Sequence, residues 1–279
     1  MAFVSVIVPT FNRGDVLSRA IGSVLSQTFE DYELIVVDDG STDSTRDLFS
    51  SLPRSVNYIN QKHKGVSAAR NKGILESTGE LVAFLDSDDE WCADKLEKQV
   101  KLYQSRDHHF ICHSNEIWLR NGKPVFQKEI HRKQGGHFFE RALERCLISP
   151  SAVIMTRSLL DDTGYFDESL PAAEDYDLWL RITAYNPVKF LDDPLIIKHG
   201  DREDQLSRKV PAIDRFRIQA IQKILKDPML SADYRDAAVR QLVKKCHIVA
   251  KGLERRGRQK EANDYYALAR KYQNNQNCS

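Results

Sequence analysis

Residues 79–91 read GELVAFLDSDDEW. An apolar run of strand length, 81–85, leads directly into Asp86, Ser87, Asp88, Asp89 and Glu90. Burying a carboxylate is costly unless it is paired or holds a metal. A buried strand that ends in four acids therefore ends at a surface or at a site. Upstream, GVSAARNKGILEST (65–78) has helical periodicity and stops at Gly79. Further back, FVSVIV (3–8), YELIVV (32–37) and SVNYIN (55–60) read as strands. Between the first two, Val16, Leu17, Ala20, Ile21, Val24 and Leu25 have the spacing of one helical face over 14–27. After the second strand Ser41 or Thr42 is placed to cap another helix.

Strands alternating with helices over the first hundred residues predict βαβ units and a parallel sheet. Ligands of such sheets sit outside the carboxyl ends of the strands. Three of those ends carry polar sequence here: PTFN after the first strand, DDGS after the second and DSDDE after the fourth. They are expected to converge on one cleft. From about residue 105 the pattern changes. Asn121-Gly122 between two β-prone arms signals a hairpin. A helix near 136–146, a strand at 151–156, a helix at 174–185 and two short strands within 188–199 are expected next. Beyond Pro211 everything reads as helical. Val239, Leu242, Val243, Cys246, Val249 and Leu253 form one stripe there, with Arg240, Lys244, Lys245, Lys251 and Arg255 mostly off it.

The bulk numbers agree with this layout. A chain of 279 residues, 41% hydrophobic and 29% charged, suits one globular domain with an appendage. No apolar run reaches the roughly 18–20 residues that span a bilayer. The start, MAFVSVIVPTFNR, lacks the basic and cleavage features of a signal peptide. Cys92, Cys112, Cys146, Cys246 and Cys278 are odd in number and form no C-x-x-C pair, which fits free thiols in a reducing cytoplasm. Residues 201–279 carry 18 Lys and Arg against 10 Asp and Glu, although the whole chain is only +1. An acidic body with a basic tail implies two tasks.

Three acidic groups carry chemistry. In DSD, two carboxylates at i and i+2 suit a hard divalent cation that keeps water and shares a phosphate. The same acids would also serve a solvated turn before a helix, and Asp89 and Glu90 are assigned to that role, leading into a helix from about Ala93. In VVDDGSTDS, one acid of the pair fits a ribose or a base, while the other fits a cap. In AAEDYDLWLRI (172–182), the acids suit either a helix first turn or a general base.

Taken together, VSVIVPTFNR, SVLSQTFEDYELIVVDDGSTDST, GVSAARNKGILESTGELVAFLDSDDEW and FDESLPAAEDYDLWLRI resemble the family 2 glycosyltransferases over residues 3 to about 208. The resemblance implies an α/β GT-A fold, with a Rossmann-like nucleotide-binding sheet and a mixed central sheet over 1–210, and a helical C-terminal region over 211–279. It implies that Pro9, Thr10 and Phe11 line the base pocket with the Phe11 ring stacked on the base. Asp39 would accept the base imide N–H, which uracil and thymine both offer and which leaves guanine open; Asp38 would be its structural partner. Arg70 would reach the nucleotide. Asp88 would bind a Mn²⁺ or Mg²⁺ ion, Asp86 the metal or the ribose, and Ser87 would face the nucleotide sugar between them. Asp175 would deprotonate the acceptor hydroxyl, with inversion at the sugar. Glu174 would touch the acceptor or cap its helix. His199 would add a metal ligand or phosphate contact, and Arg202 would clamp phosphate.

Two departures refine this. The Q-x-x-R-W motif of processive members is missing, and so are membrane spans, which implies transfer of a single sugar. The expected partners are a nucleotide-diphosphate sugar and a glycan or lipid-linked acceptor, with no nucleic acid. The basic helix fits either packing on the body or lying on an anionic membrane near a lipid-linked acceptor. A nucleotidyltransferase or dinucleotide oxidoreductase would need glycines after the first strand, where the chain has PTFNR. A catalytically silent sugar-nucleotide-binding or scaffold protein is the remaining alternative.

Overall fold

The computed structural model describes residues 2–49, 52–103, 108–125, 127–200 and 212–276. The elements in chain order are β1 (Val4–Thr10), α1 (Leu17–Leu25), β2 (Tyr32–Asp38), α2 (Thr45–Leu48), β3 (Val56–Asn60), α3 (Val66–Glu76), β4 (Leu81–Phe84), β5 (Asp89–Trp91) and α4 (Lys95–Val100). Then come β6 (Ile111–Arg120), β7 (Lys123–Val125), α5 (Phe139–Glu144), β8 (Ile154–Thr156), α6 (Arg157–Thr163), α7 (Glu174–Thr183) and β9 (Lys189–His199). Three helices close the chain: α8 (Asp214–Ile224), α9 (Ala232–Glu254) and α10 (Gln259–Gln276).

The strands form one mixed sheet in the order β3-β2-β1-β4-β8-β6-β9-β5, with β7 paired to β6. β3, β2, β1 and β4 are mutually parallel, as the βαβ reading predicts. β8 then runs antiparallel to both β4 and β6. Every residue of β1 is buried, and so are the last five of β2. Strands covered on both faces read as continuous apolar runs rather than alternating ones. Helix α3 lies so close to β1 that a Cβ on Gly73 would come 2.4 Å from Ile7 Cγ2.

Three local readings are corrected. Residues 189–199 form one strand rather than two; Pro194 sits at register shifts against Ser114–Glu116, where the ladder tolerates a missing N–H. Asp89 and Glu90 do not lead into a helix: they lie in β5, paired antiparallel to β9. Ser41 and Thr42 do not cap α2, which starts at Thr45. Ser41 Oγ accepts from Asn12 N–H, and Thr42 N–H donates to Asn12 Oδ1, tying the first loop to the second. The Asn121-Gly122 hairpin forms as expected, with φ of 49° and 69°.

By contacts the chain divides into two units: Met1–Gly136, Leu147–Ser169 and Asn186–Arg202; and His137–Cys146, Leu170–Tyr185 and Glu203–Ser279. The first holds the whole sheet. The second is helical and takes in α5 and α7 as well as the C-terminal helices, so this division differs from a boundary at residue 210. Within the second unit Val239, Leu242, Cys246, Val249 and Leu253 are buried, so the apolar stripe is taken up by packing. Lys245 is buried with it and donates to Glu144 O at 3.0 Å. No helix among the described residues is long and apolar enough to cross a membrane.

Candidate active site

The site is built at the carboxyl ends of β1, β2 and β4, all in the first unit. Pro9 and Thr10 end β1, both buried, and Phe11 follows with 39% of its surface exposed. The Thr10 hydroxyl is buried and has no hydrogen-bond partner among the described residues. A buried polar atom is normally satisfied, so this hydroxyl is one a ligand or water would complete.

At the end of β2 the two acids are held differently. Asp38 accepts from Ser41 N–H at 2.8 Å and from the Tyr58 hydroxyl at 2.8 Å, which fits a structural role. Asp39 is 2% exposed. Its Oδ1 accepts from Lys64 N–H and Gln61 Nε2, and its Oδ2 from Gly65 N–H. Two of these donors are amides where the chain enters α3, so the carboxylate serves as a cap brought from another element. Gly40 makes this possible: its φ is +82°, and a Cβ there would meet His63 N at 2.9 Å.

Arg70 on α3 is not a surface residue. Its guanidinium is buried, donates to Asp86 Oδ1 at 2.7 Å and lies 5.1 Å from the centre of the Phe166 ring. The next residue, Asn71, exchanges two hydrogen bonds with the Phe166 backbone and so holds that ring in place. Sequence reasoning missed Asn71; its adjacency to Arg70 was the available signal.

The DSDD turn after β4 is held from below. Ser151 Oγ accepts from Asp86 N–H and donates to Asp89 Oδ2, linking the first and last acids of the motif. Lys198, the cross-strand partner of Asp89, donates to the same Oδ2 at 2.6 Å and to Ser149 Oγ at 2.9 Å. Burial opposes the charge on Lys198, but Asp89, Glu116 and Asp86 outweigh it and raise its pKa above the usual lysine value. Burial likewise pushes the Asp86 carboxyl up, and Arg70 and Lys198 overcome that and hold it below the usual carboxylate range. Asp86 is therefore ionised at neutral pH. Ser87 is buried between them. The Asp88 carboxylate takes no hydrogen bond or ion pair from a described residue, while its backbone carbonyl accepts from Arg19. Lys198 and Asp89 were invisible in the sequence as a pair, because their meeting depends on a three-residue strand.

His199, also on β9, has Nε2 3.3 Å from Glu90 Oε2. Asp86, Asp88 and His199 do not bring three ligand atoms within 4.8 Å of one another; among the described residues that is found only for His108, His109 and Asp162, all exposed. The donor set of Asp86 and Asp88 still fits a cation such as Mg²⁺, which takes one or two carboxylates and completes its shell with phosphate and water. Arg202 lies outside the described residues.

Glu174 and Asp175 belong to the second unit, in the first turn of α7. Ala173 before them has φ +61°, a left-handed conformation that an alanine adopts at a cost. Glu174 is buried and Asp175 half-buried. Asp175 Oδ1 accepts from Tyr176 N–H, and Oδ2 accepts from the Cys146 thiol at 3.2 Å, a weak donor.

A mixed sheet whose parallel strands end in polar loops, with an acidic turn after β4, defines the class, and comparison with known proteins agrees. Residues 5–164 match the family described as Glycosyl transferase family 2. The chain belongs to that family. It is 35% identical over 196 residues, 68% of this chain and 73% of the relative, to the UDP-Glc:alpha-D-GlcNAc-diphosphoundecaprenol beta-1,3-glucosyltransferase WfgD of Escherichia coli. It is 33% identical over 184 residues, 64% of this chain and 71% of the relative, to the putative teichuronic acid biosynthesis glycosyltransferase TuaG of Bacillus subtilis. It also matches an uncharacterised glycosyltransferase of Rickettsia felis at 34% identity over 195 residues, 69% of this chain, but spans only 32% of that relative's length. Among solved structures, S. aureus TarS 1–349 in complex with UDP-GlcNAc superposes with a TM-score of 0.69 at 23% identity, over 88% of this chain and 72% of that one. The Pyrobaculum calidifontis mannosyltransferase PcManGT, solved with GDP-Man and Mn²⁺, gives 0.66 at 17% identity, over 96% and 74%. These likenesses bear out the GT-A fold.

Proposed function

We propose that this chain transfers a single sugar, with inversion, from a UDP- or dTDP-sugar to a hydroxyl of a glycan or lipid-linked acceptor in surface polysaccharide synthesis. The observation that carries it is the assembly at three strand ends: a partly exposed aromatic ring at Phe11, a buried carboxylate at Asp39, and Arg70 paired to Asp86 beside an unpartnered Asp88. The names of WfgD and TuaG support the acceptor class, and TarS, solved with UDP-GlcNAc, supports the donor class.

In this reading Pro9, Thr10 and Phe11 hold the base, with the ring on its face and Asp39 facing the imide. Asp86 and Asp88 would hold a divalent cation; when bound it would supply positive charge to the departing diphosphate. Arg70 keeps Asp86 ionised and oriented. Ser87 faces the sugar nucleotide. Asp175 takes the proton of the acceptor hydroxyl as that oxygen attacks, and a carboxylate whose protein partners are one amide and one thiol is free enough to do so. Glu174 would touch the acceptor or cap its helix, and Arg202 would clamp phosphate. His199 acts through Glu90 unless donor binding releases it to the metal. We place the enzyme in the cytoplasm. Contact with a membrane that carries the acceptor would fall to the basic face of α9, at Arg240, Lys244, Lys251 and Arg255, since the apolar stripe is buried.

The test is Asp175→Asn assayed with each donor on a lipid-linked glycan. Turnover should fall by roughly 10²–10⁴-fold, the range of general-base catalysis, while nucleotide affinity stays at the wild-type value. Unchanged turnover would remove Asp175 from the chemistry.

A further inference from the structure

The Asp39 carboxylate has a fourth close neighbour besides the three donors named above. His63 Nδ1 lies 2.8 Å from Oδ2 and makes its hydrogen bond to the Asp39 backbone carbonyl at 3.2 Å, while Oδ2 takes Gly65 N–H at 2.7 Å and Oδ1 takes Gln61 Nε2 at 2.7 Å and Lys64 N–H at 2.9 Å. Two carboxylate oxygens offer about four acceptor positions. Three are filled, and the His63 ring nitrogen occupies the space beside Oδ2, so a further donor reaches that oxygen only if the ring leaves. Two donors are backbone amides fixed at the entry to α3. Gln61 is partly buried, but the His63 side chain is 56% exposed. It is the neighbour most easily displaced.

The same imidazole lies flat on Phe11, with ring centroids 4.0 Å apart and planes at 22°. A flat nitrogen heterocycle thus stacks on Phe11 and sets a ring nitrogen against Asp39. These are the two contacts that the proposed function assigns to the nucleobase. A base inserted between the rings would need about twice the present spacing.

We propose that His63 is an internal stand-in for the nucleobase, and that the sugar nucleotide binds by displacing it from Phe11 and Asp39. The inference rests on the reading that Phe11 and Asp39 hold the base. A pair with its histidine partner exposed and one ring stack are each modest; together they favour the docked ring and still allow exchange. The apparent affinity for nucleotide is then the intrinsic affinity reduced by the fraction of molecules with the ring away. If that fraction is about one in ten, removing the ring tightens binding about tenfold.

Calorimetric titration of the full chain with UDP, dTDP and GDP in Mg²⁺ tests this on wild type, His63→Ala, Phe11→Ala and the double variant. His63→Ala should tighten binding of the preferred nucleotide by about three- to tenfold, with an unchanged melting temperature. Phe11→Ala should weaken binding. In the Phe11→Ala background the gain from removing His63 should shrink, because the imidazole has lost its seat; a merely structural histidine would not produce that coupling. If His63→Ala leaves affinity unchanged or lowers it while Phe11→Ala still weakens binding, the displacement idea is overturned and the pocket stands. If Phe11→Ala binds as wild type, or no variant binds any nucleotide, the pocket reading fails and takes the inference with it.

Discussion

Two loops of the sheet unit end parallel strands in paired acids, yet they hold those acids by opposite means. After β2, Asp38 and Asp39 are satisfied almost wholly by groups without net charge: amide N–H groups, the Tyr58 hydroxyl and the Gln61 amide. After β4, Asp86 and Asp89 are satisfied by cations, Arg70 and Lys198, with Ser151 bridging the two. Neutral donors leave the charge of a carboxylate uncancelled, so that loop stays attractive to an N–H donor. Cations offset it, and under the proposed function the metal and diphosphate would be held there by Asp86 together with Asp88, which has no cationic partner among the described residues. The same residue type in equivalent places thus prepares two kinds of ligand.

The largest effect should come from removing a cation. Lys198→Met takes the counter-charge from Asp89, whose carboxyl is already pushed up to about 7 by burial, Asp86 and Asp88. Breaking a buried pair costs up to about 3–5 kcal/mol, and uptake of a proton by Asp89 limits the loss. Chemical denaturation of Lys198→Met against Lys198→Met/Asp89→Asn measures it, and the second substitution should recover much of the loss. A loss under about 1 kcal/mol without such proton uptake would mean that the charges in this loop are not truly desolvated.

The next effect is on acid stability, through the Glu116–Lys133 pair beneath the same network, where both side chains are about 5% exposed or less. Burial raises the Glu116 carboxyl, and Lys133 and Lys198 more than reverse that, bringing it down to about 2 from 4.5. A carboxyl depressed by folding adds stability that is complete above about pH 4.5 and is lost as pH falls through about 2. The full span is worth about 3 kcal/mol. His113, buried and further disfavoured as a cation by Lys133, is lowered from 6.5 to about 3 and acts with the same sign between those values. Asp89, pushed up to about 7 by burial, Asp86 and Asp88, acts with the opposite sign between about 7 and 3.8. It and His113 therefore offset each other there, and stability should decline steeply only below about pH 4, where Glu116 titrates. Glu116→Gln should flatten the lower part of that curve, and a parallel curve would remove this pair as the cause.

Legibility followed the same physics. β1, β2 and β4 could be read because a strand buried on both faces is a plain apolar run, and their polar ends marked where the candidate site lies. β5 could not, because DEW is three residues long and two of them are acids, so neither period nor composition marks it. Missing β5 hid Lys198, whose meeting with Asp89 is a fact of register. Asp192-Asp193-Pro194 made one bulged strand look like two. The residues left open which of Asp38 and Asp39 has the site role and only the family resemblance separated them, and the donors to Asp39 come from a loop about 25 residues on. His63 carried no local signal there. Asp175 was legible as an acid in a helix first turn; its thiol partner Cys146 was not, being 29 residues away.

The smallest effect sharpens the comparison from its neutral side. Tyr58→Phe deletes one hydroxyl donor to Asp38 and keeps the ring that stacks on Phe49 at 3.7 Å. Asp38 retains Ser41 N–H and the Asn60 amide, and it still carries its charge. Losing one hydrogen bond among several should cost about 1 kcal/mol, against up to about 3–5 kcal/mol for the cation at Lys198. Because Asp39 is held by a separate set of donors, nucleotide affinity should not move with it. If Tyr58→Phe proves as destabilising as Lys198→Met, then what matters at both strand ends is the number of donors and not their charge. The β2 loop would then lose its distinction as the loop that keeps its negative charge for a ligand.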